Sequence, residues 1–85
     1  MELSGAILTD HARKQLHDRG IEAPWVMGIL AAPQRVAPVR PGRVVAQGMI
    51  DSDHLLRVFV DVDRVPPEVV TAYITSQLTK YRSQP

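Results

Sequence analysis

The sequence predicts an α+β fold of element order β-α-α-β-β-β-β, with a helical hairpin packed on one face of a mainly antiparallel sheet. Three observations predict it. Helical spacing of apolar residues governs the chain from Thr9 to Ala32, and after Pro33 the period changes to two. Turn residues at Pro41-Gly42, Asp51-Ser52-Asp53 and Pro66-Pro67 then divide the remainder into four alternating segments. Helices first and a meander afterwards make an α+β layer pair.

Residues 3–8 read as a short opening strand. Thr9 is a good N-cap, since its hydroxyl can accept from a free amide of the first turn, and Asp10 complements the helix dipole. Gly20 supplies the left-handed residue that closes a helix, and Ile21 can fold back on the last turn, so the first helix spans about residues 10–19. Pro24 suits the first turn of a second helix, where its missing N–H costs nothing. Trp25, Val26, Ile29 and Leu30 follow at helical spacing, Trp25 as a core anchor, and Pro33 ends the helix at Ala32.

Arg35–Val39 and Arg43–Ile50 read as strands, and Leu55–Val62, rich in Val, Leu and Phe, as the strongest one. Glu68–Thr75 is the last. Residues 76–85 form one helical turn or a loose tail of a single domain spanning residues 1–85. Alternation puts Leu56, Val58, Val60 and Val62 on one face, to meet the helices with Val70, Ala72 and Ile74. The other face carries Leu55, Arg57, Phe59 and Asp61 with Val69, Thr71, Tyr73 and Thr75, and Arg43 and Gln47 can join it from the neighbouring strand.

Composition excludes several function classes. The chain has 85 residues, 45% hydrophobic and 22% charged, which suits one folded core rather than disorder. Ten Lys+Arg stand against nine Asp+Glu, so global phosphate-backbone binding by a strongly basic protein is excluded, while a local basic face is not. No cysteine is present, which removes disulfides and thiolate metal sites. The longest apolar stretch, around Val26 to Ala32, is too short for a bilayer, and the N-terminus lacks the order of a secretory signal. A cytoplasmic protein with no membrane partner is expected.

Two groups of residues can carry chemistry. On a helical wheel Ala12 and Leu16 face the core, while His11, Gln15 and Arg19 form a ridge beside them. Arg19 either lays its stem over the core and its guanidinium on carbonyls or an acid, or clamps an anion. His11 is either a hydrogen-bonded boundary histidine or an acid/base or phosphate contact. The second group is the sheet face, where Arg57, Tyr73 and hydroxyls can grip a phosphate and stack on a base, or simply make cross-strand pairs. Asp61, Asp63 and His54 lack distinctive ligand spacing, so no metal is expected. No phosphate loop or nucleophile elbow occurs, and no cofactor is called for.

The segment His11-Ala12-x-x-x-Leu16-x-x-Arg19-Gly20-Ile21 resembles the opening of a widespread family of small bacterial domains of unknown function. Leu30-Ala31-Ala32-Pro33, Leu55-Leu56-Arg57-Val58-Phe59-Val60 and Val69-Val70-Thr71-Ala72-Tyr73 match in order and spacing, so the resemblance covers roughly residues 7–82. That family is similar to the RelE/ParE toxin superfamily. The resemblance implies a toxin-like component of a type II toxin–antitoxin pair, with an antitoxin protein as partner and messenger RNA as the target of a metal-independent ribonuclease. By residue type and location, Arg57, Tyr73, Lys80, Tyr81 and Arg82 match the basic and tyrosine side chains of such nucleases. With the residues read above, the catalytic candidates are then His11, Arg57 and Tyr73, His11 or Tyr73 as the acid/base, and the RNA contacts Arg19, Arg43, Lys80 and Arg82. A non-catalytic module binding protein or nucleic acid on the same scaffold is the alternative, and near-neutral charge favours it.

Overall fold

The computed structural model describes residues 2–78 and has the order β1 Ile7–Leu8, α1 Asp10–Asp18, α2 Ala23–Ala31, β2 Arg35–Arg40, β3 Arg43–Met49, β4 Leu55–Asp61, β5 Glu68–Thr75. The strands form one sheet in the order β1-β5-β4-β3-β2. β1 runs parallel to β5 through two residue pairs, and the remaining neighbours are antiparallel. This is the α+β architecture that the sequence predicts.

Capping sets the limits of α1. Thr9 Oγ1 accepts from the Ala12 amide at 3.1 Å, as an N-cap should. At the other end Gly20 has φ of 69°, its amide donates to the His17 carbonyl at 3.1 Å, and the Ile21 amide reaches back to the Leu16 carbonyl at 2.8 Å. Those two bonds are the paired closure of a Schellman motif, and buried Ile21 and Leu16 supply its apolar clasp. Pro24 stands in the first turn of α2, and Ala32 ends it.

The core lies between the hairpin and one sheet face. Ala12, Leu16, Val26, Ile29 and Leu30 meet Val44, Ala46, Leu56, Val58, Val60, Val69 and Ala72, all buried. Gly48 of β3 makes room for Ile29 of α2, since an added Cβ would come within 2.7 Å of Ile29 Cδ1. The second face is half-buried rather than wet: Val45, Gln47, Leu55 and Asp61 are buried there, outside the main core cluster.

Three expectations are corrected. The opening strand is only Ile7–Leu8, because residues 4 and 5 turn and the Ala6 amide donates to the Leu3 carbonyl. Val69 belongs to the core face, fully buried, because the β4–β5 register shifts between Phe59 and Val60. Phe59 pairs with Thr71 but Val60 pairs with Val69, so Val70 is the extra residue of a bulge and alternation restarts on its far side. Trp25 is 39% exposed rather than a core anchor, since its neighbour Val26, with Ile29 and Leu30, takes the buried side of α2. The tail assigned to residues 76–85 lies mostly outside the described residues, which end at Leu78.

Candidate functional site

β4 is the central positioning element. In register, Arg57 stands between Gln47 of β3 and Tyr73 of β5. Its Nη1 donates to the Tyr73 phenol oxygen at 2.6 Å and its Nε to Gln47 Oε1 at 3.1 Å. The guanidinium carbon lies 5.6 Å from the Phe59 ring centre and 5.7 Å from that of Tyr73. Those rings stack on each other at 5.9 Å with planes 22° apart. Phe59 reaches this cluster because it is two residues from Arg57 on the same face and diagonal to Tyr73, within the reach of aromatic side chains. The sequence reading puts Phe59 on the Arg57 face by its period-two spacing but gives it no role in the site.

A second charged constellation lies at the other end of β4. Arg43 holds Asp61 across the strands through Nε at 2.6 Å and Nη2 at 3.2 Å. Arg64 Nη1 approaches Asp61 at 3.4 Å and donates to Glu68 at 3.0 Å. The Arg43 guanidinium holds the Asp61 carboxyl below the usual carboxylate range, against the opposing effect of burial. Together with Thr9, His11, Val69 and Val70 these residues line a cleft of about 290 Å³.

The predicted catalytic trio is therefore divided. Arg57 and Tyr73 are hydrogen-bonded partners, whereas His11 lines the Asp61 cleft. Asp61 is four residues along β4 from Arg57, or ~13 Å of strand. Arg43 is in the cleft, paired with Asp61. Arg19 joins neither group: its Nη1 donates to the Ala72 carbonyl at 2.7 Å and to Thr71 Oγ1 at 3.0 Å, fastening the end of α1 to β5. Lys80 and Arg82 lie outside the described residues.

Among the described residues no group of three His, Cys, Asp or Glu is placed to hold a metal ion. His54 instead meets Asp51 at 2.9 Å in the hairpin loop. The Asp51 carboxyl is held below its ordinary range first by the Asp53 amide and then by His54. No helix of the described residues is long and apolar enough to cross a membrane.

The fold and the Arg57 cluster define a small α+β domain with an aromatic–arginine patch on the sheet face away from its helices. Residues 8–74 match the family described as a domain of unknown function, DUF4258, and the chain belongs to that family. No curated protein and no solved structure matches the chain.

Proposed function

We propose that the protein is the toxin-like component of a bacterial type II toxin–antitoxin pair, acting on messenger RNA in the cytoplasm through the Arg57 face. The observation that carries this reading is the 2.6 Å bond from Arg57 to the Tyr73 phenol, made above the stacked Phe59 and Tyr73 rings. A guanidinium suits a phosphodiester, and aromatic rings suit unstacked bases of single-stranded RNA. In cleavage, water takes the proton of the 2′-hydroxyl as its oxygen attacks the adjacent phosphorus, the bond to the 5′-oxygen breaks, and the Tyr73 phenol would donate its proton to that leaving oxygen. Arg57 would stabilise the charge that gathers on the phosphorane oxygens.

A second reading, a non-catalytic RNA- or protein-binding module, is favoured by the place of His11, which lines the Asp61 cleft and not the Arg57 cluster. Induced expression of the wild type beside Arg57→Ala and Tyr73→Ala separates the two. The toxin reading expects growth arrest and fragmented RNA with the wild type, relieved in both variants. Unimpaired growth and intact RNA with the wild type would sink the nuclease. Loss of single-stranded RNA affinity in Arg57→Ala alongside intact RNA would leave the binding module.

A further inference from the structure

The outer face of α2 has a composition that packing within the chain does not require. Pro24, Trp25, Gly28, Ala31 and Ala32 are all exposed, and no charged residue occurs between Ala23 and Ala31. Beside this face runs a groove of about 460 Å³, lined by Trp25, Gly28, Ile29, Ala32, Met49 and Ile50, with Asp51 its one charged member.

Gly28 is the telling residue. Its φ is not positive, unlike those of Gly20 and Gly42, so the backbone does not demand glycine. A Cβ added there would meet nothing within 4 Å, so neighbouring side chains do not demand it either. Mid-helix glycine destabilises a helix relative to alanine. What it permits is close approach of a second backbone from outside.

We propose that this face is a self-association surface, on which α2 of a second copy packs antiparallel across Gly28. Self-complementarity selects a second copy over another occupant. Trp25 stands one turn before Gly28 and Ala32 one turn after, ~10 Å apart along the axis. A two-fold axis near Gly28 therefore sets the indole of each copy over the small residues and groove of the other, an isologous knob and hole. Charge agrees with this pairing. The stretch that would be apposed carries no charge, and a net charge of +1 leaves little repulsion between copies. The indole N–H needs an acceptor when covered, and the Asp51 carboxylate lines the groove it would enter. With α2 only nine residues long, the contact falls at the small end of specific interfaces, and the dimer is correspondingly weak.

Sedimentation equilibrium of the full chain from ~10 μM to ~1 mM tests this in the range where such interfaces associate. Gly28→Glu is the central variant, because the monomer has room for the new side chain; Trp25→Glu is the second. The wild type should rise from the mass of one chain towards two. Gly28→Glu should stay at one chain, with a thermal midpoint no lower than the wild type. The fluorescence of Trp25, the one tryptophan, should shift to the blue with wild-type concentration only. A wild type that remains monomeric throughout would overturn the proposal and leave the face to a different protein. Dimerisation of Gly28→Glu equal to the wild type would place the interface elsewhere. A blue shift on adding phosphatidylglycerol vesicles to a wild type that stays monomeric would assign the face to a lipid surface.

Discussion

Arg19→Met tests whether the arginine before Gly20 holds the fold together or contacts RNA. Methionine keeps the apolar stem and removes the guanidinium. The bond lost at Ala72 is the one that matters. Ala72 is fully buried, so its carbonyl, at 2.7 Å from Arg19 Nη1, has poor access to replacement water. A bond from a charged donor to such an acceptor is worth about 2 kcal/mol. The companion bond to Thr71 Oγ1 is exposed and adds little. For a domain of this size, about 2 kcal/mol lowers the thermal midpoint by roughly 10 °C. Urea unfolding followed by far-ultraviolet circular dichroism should show the midpoint falling with an unchanged slope. Single-stranded RNA affinity of the folded variant should match the wild type. A stability change below about 0.5 kcal/mol, in the range of ordinary surface substitutions, would refute the reasoning. So would intact stability combined with weaker, less salt-dependent RNA binding, which would return Arg19 to the RNA contacts.

Two further perturbations probe the frame around the site. Gly20→Ala forces a Cβ into the left-handed region at φ of 69° and should cost about 1 kcal/mol by chemical unfolding; an unchanged midpoint would contradict the Schellman closure of α1. Asp61→Asn should reshape the acid limb of stability. The Asp61 carboxyl sits below its ordinary value of 3.8 in the folded chain, chiefly through Arg43. Its contribution is therefore complete above that value and is lost as pH falls through the lower folded one. Wild type and variant should differ most near neutrality and converge in strong acid, as read from unfolding midpoints across a pH series; a constant difference at every pH would exclude Asp61 as the titrating group.

Elements whose signals are local were legible in the sequence. Thr9, Gly20, Pro24 and Pro33 act through their own backbone preferences, and they bound the two helices as expected. The Arg57–Tyr73 pairing followed from alternation along β4 and β5, because both lie on the same side of the bulge. Val69 lies on the other side, and no single residue type announces where a bulge inserts its extra residue. Trp25 escaped the reading from helical spacing for a different reason. α2 is apolar all round, so periodicity cannot say which side is buried. His11 went to the Asp61 cleft because the first turn of α1 lies beside the start of β5 while Arg19 at its other end reaches Thr71 and Ala72, a matter of tertiary placement that the helix sequence leaves open.

The arginines differ in what their guanidinium groups meet. Arg43 and Arg64 point their forks at Asp61 and Glu68, so a phosphate entering that cleft would compete with carboxylates already in place. Arg19 is engaged with a backbone carbonyl. The acids Asp61, Asp63 and Glu68 gather at the end of β4, in the loop after it and at the start of β5, while the cross-strand neighbours of Arg57 are an amide and a phenol. On the proposed function, a polyanion would meet carboxylates at the His11 end of the sheet and the Arg57 guanidinium beside two aromatic rings further along β4. That polarity is why the Arg57 end is the better place to seek an RNA contact, even though the helix carrying His11 and Arg19 holds the denser run of ionisable residues.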